Sequence, residues 1–365
     1  MKQNILDLSK SSLESWLLEK GLKKFNLHQI LQWLYRYRVK SFDEMTNLSK
    51  QTREVLKTHF EIRHLEPTEK HTSPVDGSTK FLFKLPDGKT VESVLMPIKG
   101  AKQKDGTESS NRITLCISSQ VGCAMGCAFC RTAEMKLVRN LTQGEILGQV
   151  LGAQDFMKQD NTGADGRGPR VSNIVFMGMG EPLHNYDTVT DSLQLLTDVY
   201  GIGISQRKIT VSTVGLAPEI RKFADNPPGA RVKLALSLNA TTEEGRKDVM
   251  PITKKYPLEE VIEACKEYTK KSKNRVTFEY VMMAGVNDSL DDAKRISKIC
   301  AHLPSKINLI PYNEYPGSPF QRPSEESIQR FFHFLADRHH QVNIRYSKGL
   351  DVLAACGQLA TSSKK

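Results

Sequence analysis

A chain of 365 residues has room for two or three domains and a core of ordinary size. A hydrophobic content of 39% and a charged content of 25% belong to a water-soluble globular protein, and no apolar run is long enough to span a bilayer. Lys and Arg outnumber Asp and Glu by 52 to 41, a formal net charge of +11, which suits a polyanionic partner. The N-terminal stretch lacks the apolar core of a signal peptide, so a cytoplasmic location is expected. There, cysteines bind metal or do chemistry more often than they form disulfides.

Residues 11–60 read as short helices. Leu13, Trp16 and Leu17 share one helical face, and Gly21 stands where that helix stops. Leu27, Ile30, Leu31 and Leu34 form a second apolar stripe. Lys20, Lys23, Lys24, Arg36, Arg38 and Lys40 stud the same region. They make either a solvated basic surface or a module that grips phosphates.

Two strands follow, over 80–85 and 90–97, joined by the turn Pro86-Asp87-Gly88. Glu92 falls on the second, where a lone glutamate ordinarily faces solvent. The polar stretch 99–111 reads as a loop.

Cys116 to Cys130 then reads CISSQVGCAMGCAFC and holds four of the seven cysteines. Cys123, Cys127 and Cys130 are spaced C-x3-C-x2-C, with the aromatic Phe129 before the last. Three thiolates on one tight loop can hold three irons of a 4Fe-4S cube and leave the fourth open to a small chelating ligand. Gly122, Ala124, Gly126 and Ala128 let the backbone wrap a bulky group. Structural zinc asks instead for paired C-x2-C knuckles with four closed ligands; this loop has one such pair and no His.

From residue 113 the pattern alternates strand and helix. Strands are predicted over 113–118, 171–178, 208–214, 232–238, 276–283 and 306–311, with a last one over 342–346. Helices are predicted over 141–158, 186–200, 217–224, 258–271, 290–302 and 324–338, the first opened by a Thr142–Glu145 capping box. The Gly- and Asp-rich stretch 159–170 reads as a surface loop. Six βα units fit a partial parallel barrel. A doubly wound sheet has the same local pattern, and periodicity does not choose between them. Either fold gathers ligands at the carboxyl ends of its strands. The cysteine loop, Gly178-Met179-Gly180-Glu181-Pro182, Ser212, Ser237, Asn239 and Asn313 all fall there. Cys265 and Cys300, on apolar helix faces, read as core. Arg112, Arg131, Lys136, Arg139, Arg207 and Lys208 are candidates to hold a surrounding polyanion.

The segments CISSQVGC, GMGEPL, VSTVG, VMPI, GVNDS, NLIPYN and AACGQL occur in that order between Cys116 and Leu359. A C-x3-C-x2-C loop followed by a GMGEP element resembles the radical S-adenosylmethionine (SAM) superfamily. The ordered set resembles the RlmN family, adenine-C2 methyltransferases of 23S rRNA and tRNA. The resemblance implies an α/β fold, a partial (β/α)6 radical-SAM barrel with a small N-terminal helical accessory domain and a connecting β-hairpin. It implies one 4Fe-4S cluster on Cys123, Cys127 and Cys130. It also implies SAM contacts from Gly180, Glu181, Ser212, Ser237, Leu238, Asn239 and Asn313. The family reads Ser-Leu-His where this chain has Ser237-Leu238-Asn239, and Asn carries no charge.

By the same resemblance, Glu92 accepts a proton, Cys356 carries the methyl group and Cys116 resolves the product. The need is chemical: carbon 2 of adenine is electron-poor and does not attack a sulfonium methyl. The family's route spends two SAM molecules per turnover. One methylates Cys356; the other yields a 5'-deoxyadenosyl radical that takes hydrogen from the S-methyl group. The carbon radical adds to adenine, Glu92 takes the ring proton, and release leaves a transient Cys116–Cys356 disulfide.

On this reading the chain divides into a helical RNA-binding accessory domain (1–75), a hairpin and linker (76–112), a barrel core (113–348) and a tail carrying the methyl-carrier cysteine (349–365). Expected partners are 23S rRNA, tRNA and an electron donor such as flavodoxin or ferredoxin, with no membrane and a monomeric chain. A sister type, Cfr, methylates carbon 8; Pro182 and Pro311 look RlmN-like instead. Two further readings stand: another radical-SAM reaction, or a ribosome- or RNA-binding protein whose cluster is purely structural.

Overall fold

The computed structural model describes residues 2–98, 100, 111–160 and 170–361. The greater part of the two loops expected at 99–111 and 159–170 lies outside them. The N-terminal region packs three helices, α1 (Lys10–Glu19), α2 (Lys24–Leu31) and α3 (Lys50–His59). Ser9 and Ser49 cap α1 and α3 by accepting from Ser12 N and Thr52 N. Leu13, Leu17, Leu27, Ile30, Leu31 and Leu34 are buried, as their spacing requires. Beyond α2 the chain widens into one stretch of π-helix, Gln32–Tyr37, and leaves it through Arg38 at φ 58.

Ten strands form one sheet. The first three, β1 (Pro67–Thr72), β2 (Thr79–Lys84) and β3 (Thr90–Ile98), form an antiparallel meander. The other seven run parallel: β4 (Arg112–Cys116), β5 (Asn173–Phe176), β6 (Ile209–Thr213), β7 (Lys233–Ser237), β8 (Val276–Met282), β9 (Ser305–Pro311) and β10 (Val342–Ile344). Antiparallel pairing of β3 with β4 makes the hairpin part of the barrel sheet. Strand β1 was not foreseen, because PTEKHT is an exposed edge with no apolar alternation to read.

Strand order in the sheet follows chain order without a break. A doubly wound sheet would reverse at a switch point. Here each right-handed crossover lands its helix on the same face, so the sheet curls into an open barrel. The outer layer is α5 (Gln143–Asp160), α6 (Tyr186–Thr197), α7 (Ala217–Asp225), α9 (Leu258–Ser272), α10 (Leu290–Cys300) and α11 (Glu325–Ala336), while the short α4 (Arg131–Glu134) and α8 (Glu243–Val249) stand at the carboxyl ends of the strands. The Thr142–Glu145 box opens α5 as expected, with Thr142 N donating to Glu145 at 2.9 Å and Glu145 N to Thr142 Oγ1 at 3.2 Å.

Strand alternation sorts the side chains. Leu115, Ile174, Val211, Leu234, Leu236, Phe278 and Leu309 are buried beneath the helices, with Ile220 and Phe223 of α7 and Val261 of α9 in the same core. The intervening positions, among them Thr114, Cys116, Asn173, Thr210 and Asn308, line an interior cavity of about 690 Å3. The barrel therefore keeps a cavity with mixed polar and apolar walls where an ordinary one is packed. Among the described residues no helix is long and apolar enough to cross a membrane.

Candidate active site

The cysteine loop leaves β4 through a two-residue strand, Gln120–Val121, paired with Arg139–Asn140. Lys136, at φ 53, presents its carbonyl to the loop and accepts from Cys123 N at 3.1 Å. A Cβ at Gly122 would stand 1.7 Å from that oxygen, so only glycine fits. Ala128 N donates to Val249 O at 3.0 Å, and Cys130 N to Cys127 O at 3.1 Å. So braced, Cys123, Cys127 and Cys130 line a cavity of about 140 Å3. Burial raises all three thiols, to about 12 for Cys123, and their mutual proximity raises Cys127 further. Among the described residues no three His, Cys, Asp or Glu side chains stand as close as one shared ion demands. A cubane asks for less crowding, since each thiolate takes its own iron.

Strand ends wall the same cavity: Gly178, Gly180 and Glu181 after β5, Ser212 on β6, Ser237 on β7 with Asn239 beyond it, and Glu279 on β8. The glycines pass close to the exit of β4. Added Cβ atoms would fall 2.7 Å from Ser118 Oγ at Gly178, and 2.5 Å from Gln120 Cβ at Gly180, which sits at φ +99. Ser118 Oγ accepts from Met179 N at 2.8 Å and donates to Glu92 O at 2.6 Å. Gln120 Oε1 accepts from Glu181 N at 2.8 Å. The SSQ triplet thus pins the GMGEP turn. The Glu181 carboxylate accepts from Leu183 N at 3.1 Å and Val214 N at 2.9 Å. Burial still lifts its carboxyl to about 7.

Two of the expected SAM contacts are not among the residues that line this cavity. Leu238 is fully buried behind this wall and is not a lining residue. Asn313 donates through Nδ2 to Cys356 O at 3.0 Å, while its Oδ1 is buried without a partner among the described residues. Asn239 does line the cavity, but its amide serves the protein: Oδ1 accepts from Val281 N at 2.9 Å and Nδ2 reaches Met250 Sδ at 3.4 Å. Its backbone is left-handed, at φ 53, which Asn tolerates well.

The C-terminal tail closes the site from the other side. Gly357 O accepts from Arg131 N at 2.8 Å, and Leu359 O from Thr132 Oγ1 at 2.6 Å. Gln358 Nε2 donates to Glu314 O at 2.7 Å, and its Oε1 accepts from Ala355 N at 3.1 Å. These bonds account for the AACGQL motif: they seat Cys356 beside the cluster loop. Cys356 lines both the small cavity and the large interior one; Cys116 lines the large one. Burial pushes the Cys116 thiol up to about 12, nearby Cys356 adds to this, and Arg345 opposes it. The Cys356 thiol is also raised by burial, and again Arg345 opposes. None of the seven cysteines is paired in a disulfide in the structure.

Glu92 is 6% exposed and does not face solvent as an isolated strand glutamate would. It pairs with Lys80 at 3.2 Å and accepts from Ala360 N at 3.1 Å, beside the tail. Burial raises its carboxyl against the pull of Lys80. Sequence reasoning missed Glu279 and Arg345. Each is a charged residue at an inward position of an otherwise apolar strand or its extension, and that was the available signal. Glu279 Oε2 is buried without a partner among the described residues. Arg139 is withdrawn from the basic candidates, because it binds Asp87 at 2.7 Å and Glu145 at 2.7 and 2.9 Å.

An open parallel barrel, with a three-thiol loop after its first parallel strand and a buried carboxylate turn after the second, defines a radical SAM enzyme. The donor set fits the cofactors: three thiols suit a cubane, and the orphan Glu279 acceptor on the cavity wall suits a ligand bringing an ammonium or hydroxyl donor. Residues 117–295 match the Radical SAM superfamily, and residues 3–62 match the ribosomal RNA large subunit methyltransferase N-terminal domain. The dual-specificity RNA methyltransferase RlmN of Pelobacter propionicus is 44% identical over 358 residues, 98% of this chain and 96% of that one. RlmN of Campylobacter fetus is 46% identical over 364 residues, 99% of each chain. The crystal structure of a radical SAM methyltransferase from Sphaerobacter thermophilus, 40% identical, superposes with a TM-score of 0.84 over 98% of this chain and 99% of that one. The chain belongs to the RlmN family of radical SAM RNA methyltransferases, and its cofactors are a 4Fe-4S cluster and SAM.

Proposed function

We propose that the chain methylates carbon 2 of an adenosine in 23S rRNA and in tRNA, with Cys356 as the methyl carrier. One observation carries this reading: Cys356 borders two cavities, one shared with the cluster cysteines and Glu181, the other with Cys116. A carrier needs such a wall position, loaded from the cofactor side and unloaded toward the substrate.

Cys123, Cys127 and Cys130 would hold the cluster. Gly180, Glu181, Ser212, Ser237, Asn239 and Asn313 would surround SAM, with Leu238 packed behind. When bound, the two groups together supply an electron, a methyl group and a hydrogen-abstracting radical, at two SAM per turnover. Cys356 loses its thiol proton and takes the methyl group; Arg345 favours the thiolate. Once the methyl carbon is joined to adenine, Glu92 accepts the ring proton, a role suited to a carboxylate whose affinity for protons burial has raised. Cys116 then attacks the Cys356 sulfur. With one electron given up by the adduct along with the ring proton, the S–S bond forms as the bond from Cys356 sulfur to the RNA-borne carbon breaks. That carbon keeps the bonding pair and takes a proton to become the methyl group, and a thiol reductant reopens the disulfide before the next cycle.

The large cavity also extends to the N-terminal strand ends, where Arg112 and Lys208 line it. Burial, and after it Lys306 and Arg112, hold the Lys233 ammonium down, so several cations stand near one another at these strand ends. A flipped adenosine entering there would keep its phosphates among cations. The working partners are a low-potential donor such as flavodoxin or ferredoxin and the RNA, with a monomeric chain in the cytoplasm.

The deciding test is an anaerobic assay with reconstituted cluster, SAM, reductant and 23S rRNA or tRNA, read by nucleoside mass spectrometry. The expected product is 2-methyladenosine. Finding 8-methyladenosine would move the reading to the Cfr type, and neither product from a loaded enzyme would remove the substrate assignment. With Cys116→Ala the expected outcome is a nuclease-sensitive protein–RNA adduct. A purely structural cluster would instead give no methylated nucleoside from the parent and unchanged RNA binding in both Cys116→Ala and Cys356→Ala; loss of methylation with RNA binding retained excludes it.

A further inference from the structure

We propose that a separate cleft, between the N-terminal helices and the barrel, binds the phosphodiester backbone of the RNA away from the reacting base. The proposal rests on the RNA-modifying reading above. The cleft holds about 630 Å3 and is lined by Arg36, Arg38, Lys158, Arg170 and Arg207. These cations come from four separate stretches of chain: the π-helical turn, the end of α5, the approach to β5 and the approach to β6. Nothing in their spacing announces that they meet.

Their charges are poorly balanced. Arg38, with its side chain 7% exposed, pairs with Asp155 at 2.6 Å. Among the described residues no carboxylate pairs with Arg36, Lys158, Arg170 or Arg207. The cations repel each other: burial and Arg170 hold the Arg38 guanidinium down, and burial, Arg38 and Arg170 hold the Lys158 ammonium down. Arg38 takes the left-handed φ of 58 where the chain leaves the π-helical turn. Like charges gathered in a concave site, with one paired carboxylate for the five cations among the described residues, make a receptor for an anion.

Position selects the kind of anion. Arg207 lines the cleft, and its chain neighbour Lys208 lines the barrel cavity that holds Cys116 and Cys356. Successive Cα atoms are about 3.8 Å apart, so one cationic ridge serves both openings. A polyanion with a unit at the barrel mouth would lay its next units in the cleft. Guanidinium forks suit phosphodiester oxygens, which they grip in bidentate pairs.

The test uses the full chain with reconstituted cluster, bearing Arg36→Gln, Arg170→Gln and Arg207→Gln singly and together, with Lys208→Gln as comparison. Fluorescein-labelled tRNA and a 23S rRNA fragment are titrated by fluorescence anisotropy across a range of salt. Each single variant is expected to weaken binding several-fold, and the slope of log affinity against log salt to fall by about 1 per lost phosphate contact. Melting temperature and iron content should stay at the parent values, because all three arginines are exposed. Parental affinity and slope in the triple variant, with weakened binding in Lys208→Gln, would overturn the cleft and leave the proposed reaction standing. Failure of the parent itself to bind either RNA would overturn both. A triple variant that loses binding of inorganic pyrophosphate but keeps RNA affinity would assign the cleft to a free anion and overturn the proposal.

Discussion

Glu181 owes its proton affinity to burial. Its carboxyl, ordinarily at 4.5, titrates at about 7 in the fold. Between those values the folded state holds the proton and the unfolded state does not. The stability linked to Glu181 is therefore complete below about pH 4.5 and lost as pH rises to about 7, at most some 3 kcal/mol. In cofactor-free protein, Glu181→Gln should gain on the parent in melting temperature across that window; curves that stay parallel would refute burial as the cause. If the carboxylate pairs with the SAM ammonium, SAM affinity should tighten as pH passes about 7, measurable by calorimetric titration on either side. At Gly122 the constraint is steric. Gly122→Ala sets a Cβ 1.7 Å from Lys136 O, so the loop must move. Iron and sulfide bound after reconstitution should fall to near background while circular dichroism stays at the parent signal.

At the scale of elements, the tail and α8 each act through a few polar anchors. Gln358 carries the tail, with bonds to Glu314 O and Ala355 N. Losing both should cost about 1–3 kcal/mol, concentrated on the segment that seats Cys356. Gln358→Ala should lower S-methylation of Cys356, read by peptide mass spectrometry, by about tenfold or more with little change in global unfolding. Arg246, on α8, has no exposed surface. It donates to Val214 O at 2.6 Å, Leu238 O at 3.2 Å, Ser237 O at 3.3 Å and Thr253 Oγ1 at 2.7 Å. It thus ties together the ends of β6 and β7, where the SAM wall is built. Arg246→Met leaves these acceptors dry and unpaired, and should cost about 2–5 kcal/mol in denaturant unfolding. A loss below about 1 kcal/mol would mean that water replaces the guanidinium.

At the scale of the whole molecule, the parallel strands, their helices and the cysteine loop were legible, because each rests on neighbours in the chain. Apolar alternation marks a strand, a Thr142–Glu145 pair opens a helix, and Gly21 at φ 69 ends one. Most of the predicted strands ran a residue or more too far at their carboxyl ends, 113–118 against Arg112–Cys116 and 171–178 against Asn173–Phe176. Those residues keep strand-like composition but turn away to build the site. The edge strand β1 and helix α8 went unread, since one is polar throughout and the other is short and charged.

Sequence alone determined the local elements, the spacing of Cys123, Cys127 and Cys130, and, through ordered motifs, the family. Tertiary structure decided that the sheet is an open barrel, that Glu92 is buried against the tail, and that Cys356 divides two cavities. It also decided that Arg36, Arg38, Lys158, Arg170 and Arg207 face one cleft. The division has one physical cause. Helix caps, turns and alternation act between atoms a few residues apart. Burial, desolvated charge and the meeting of distant side chains depend on which remote segments exclude water from the same place.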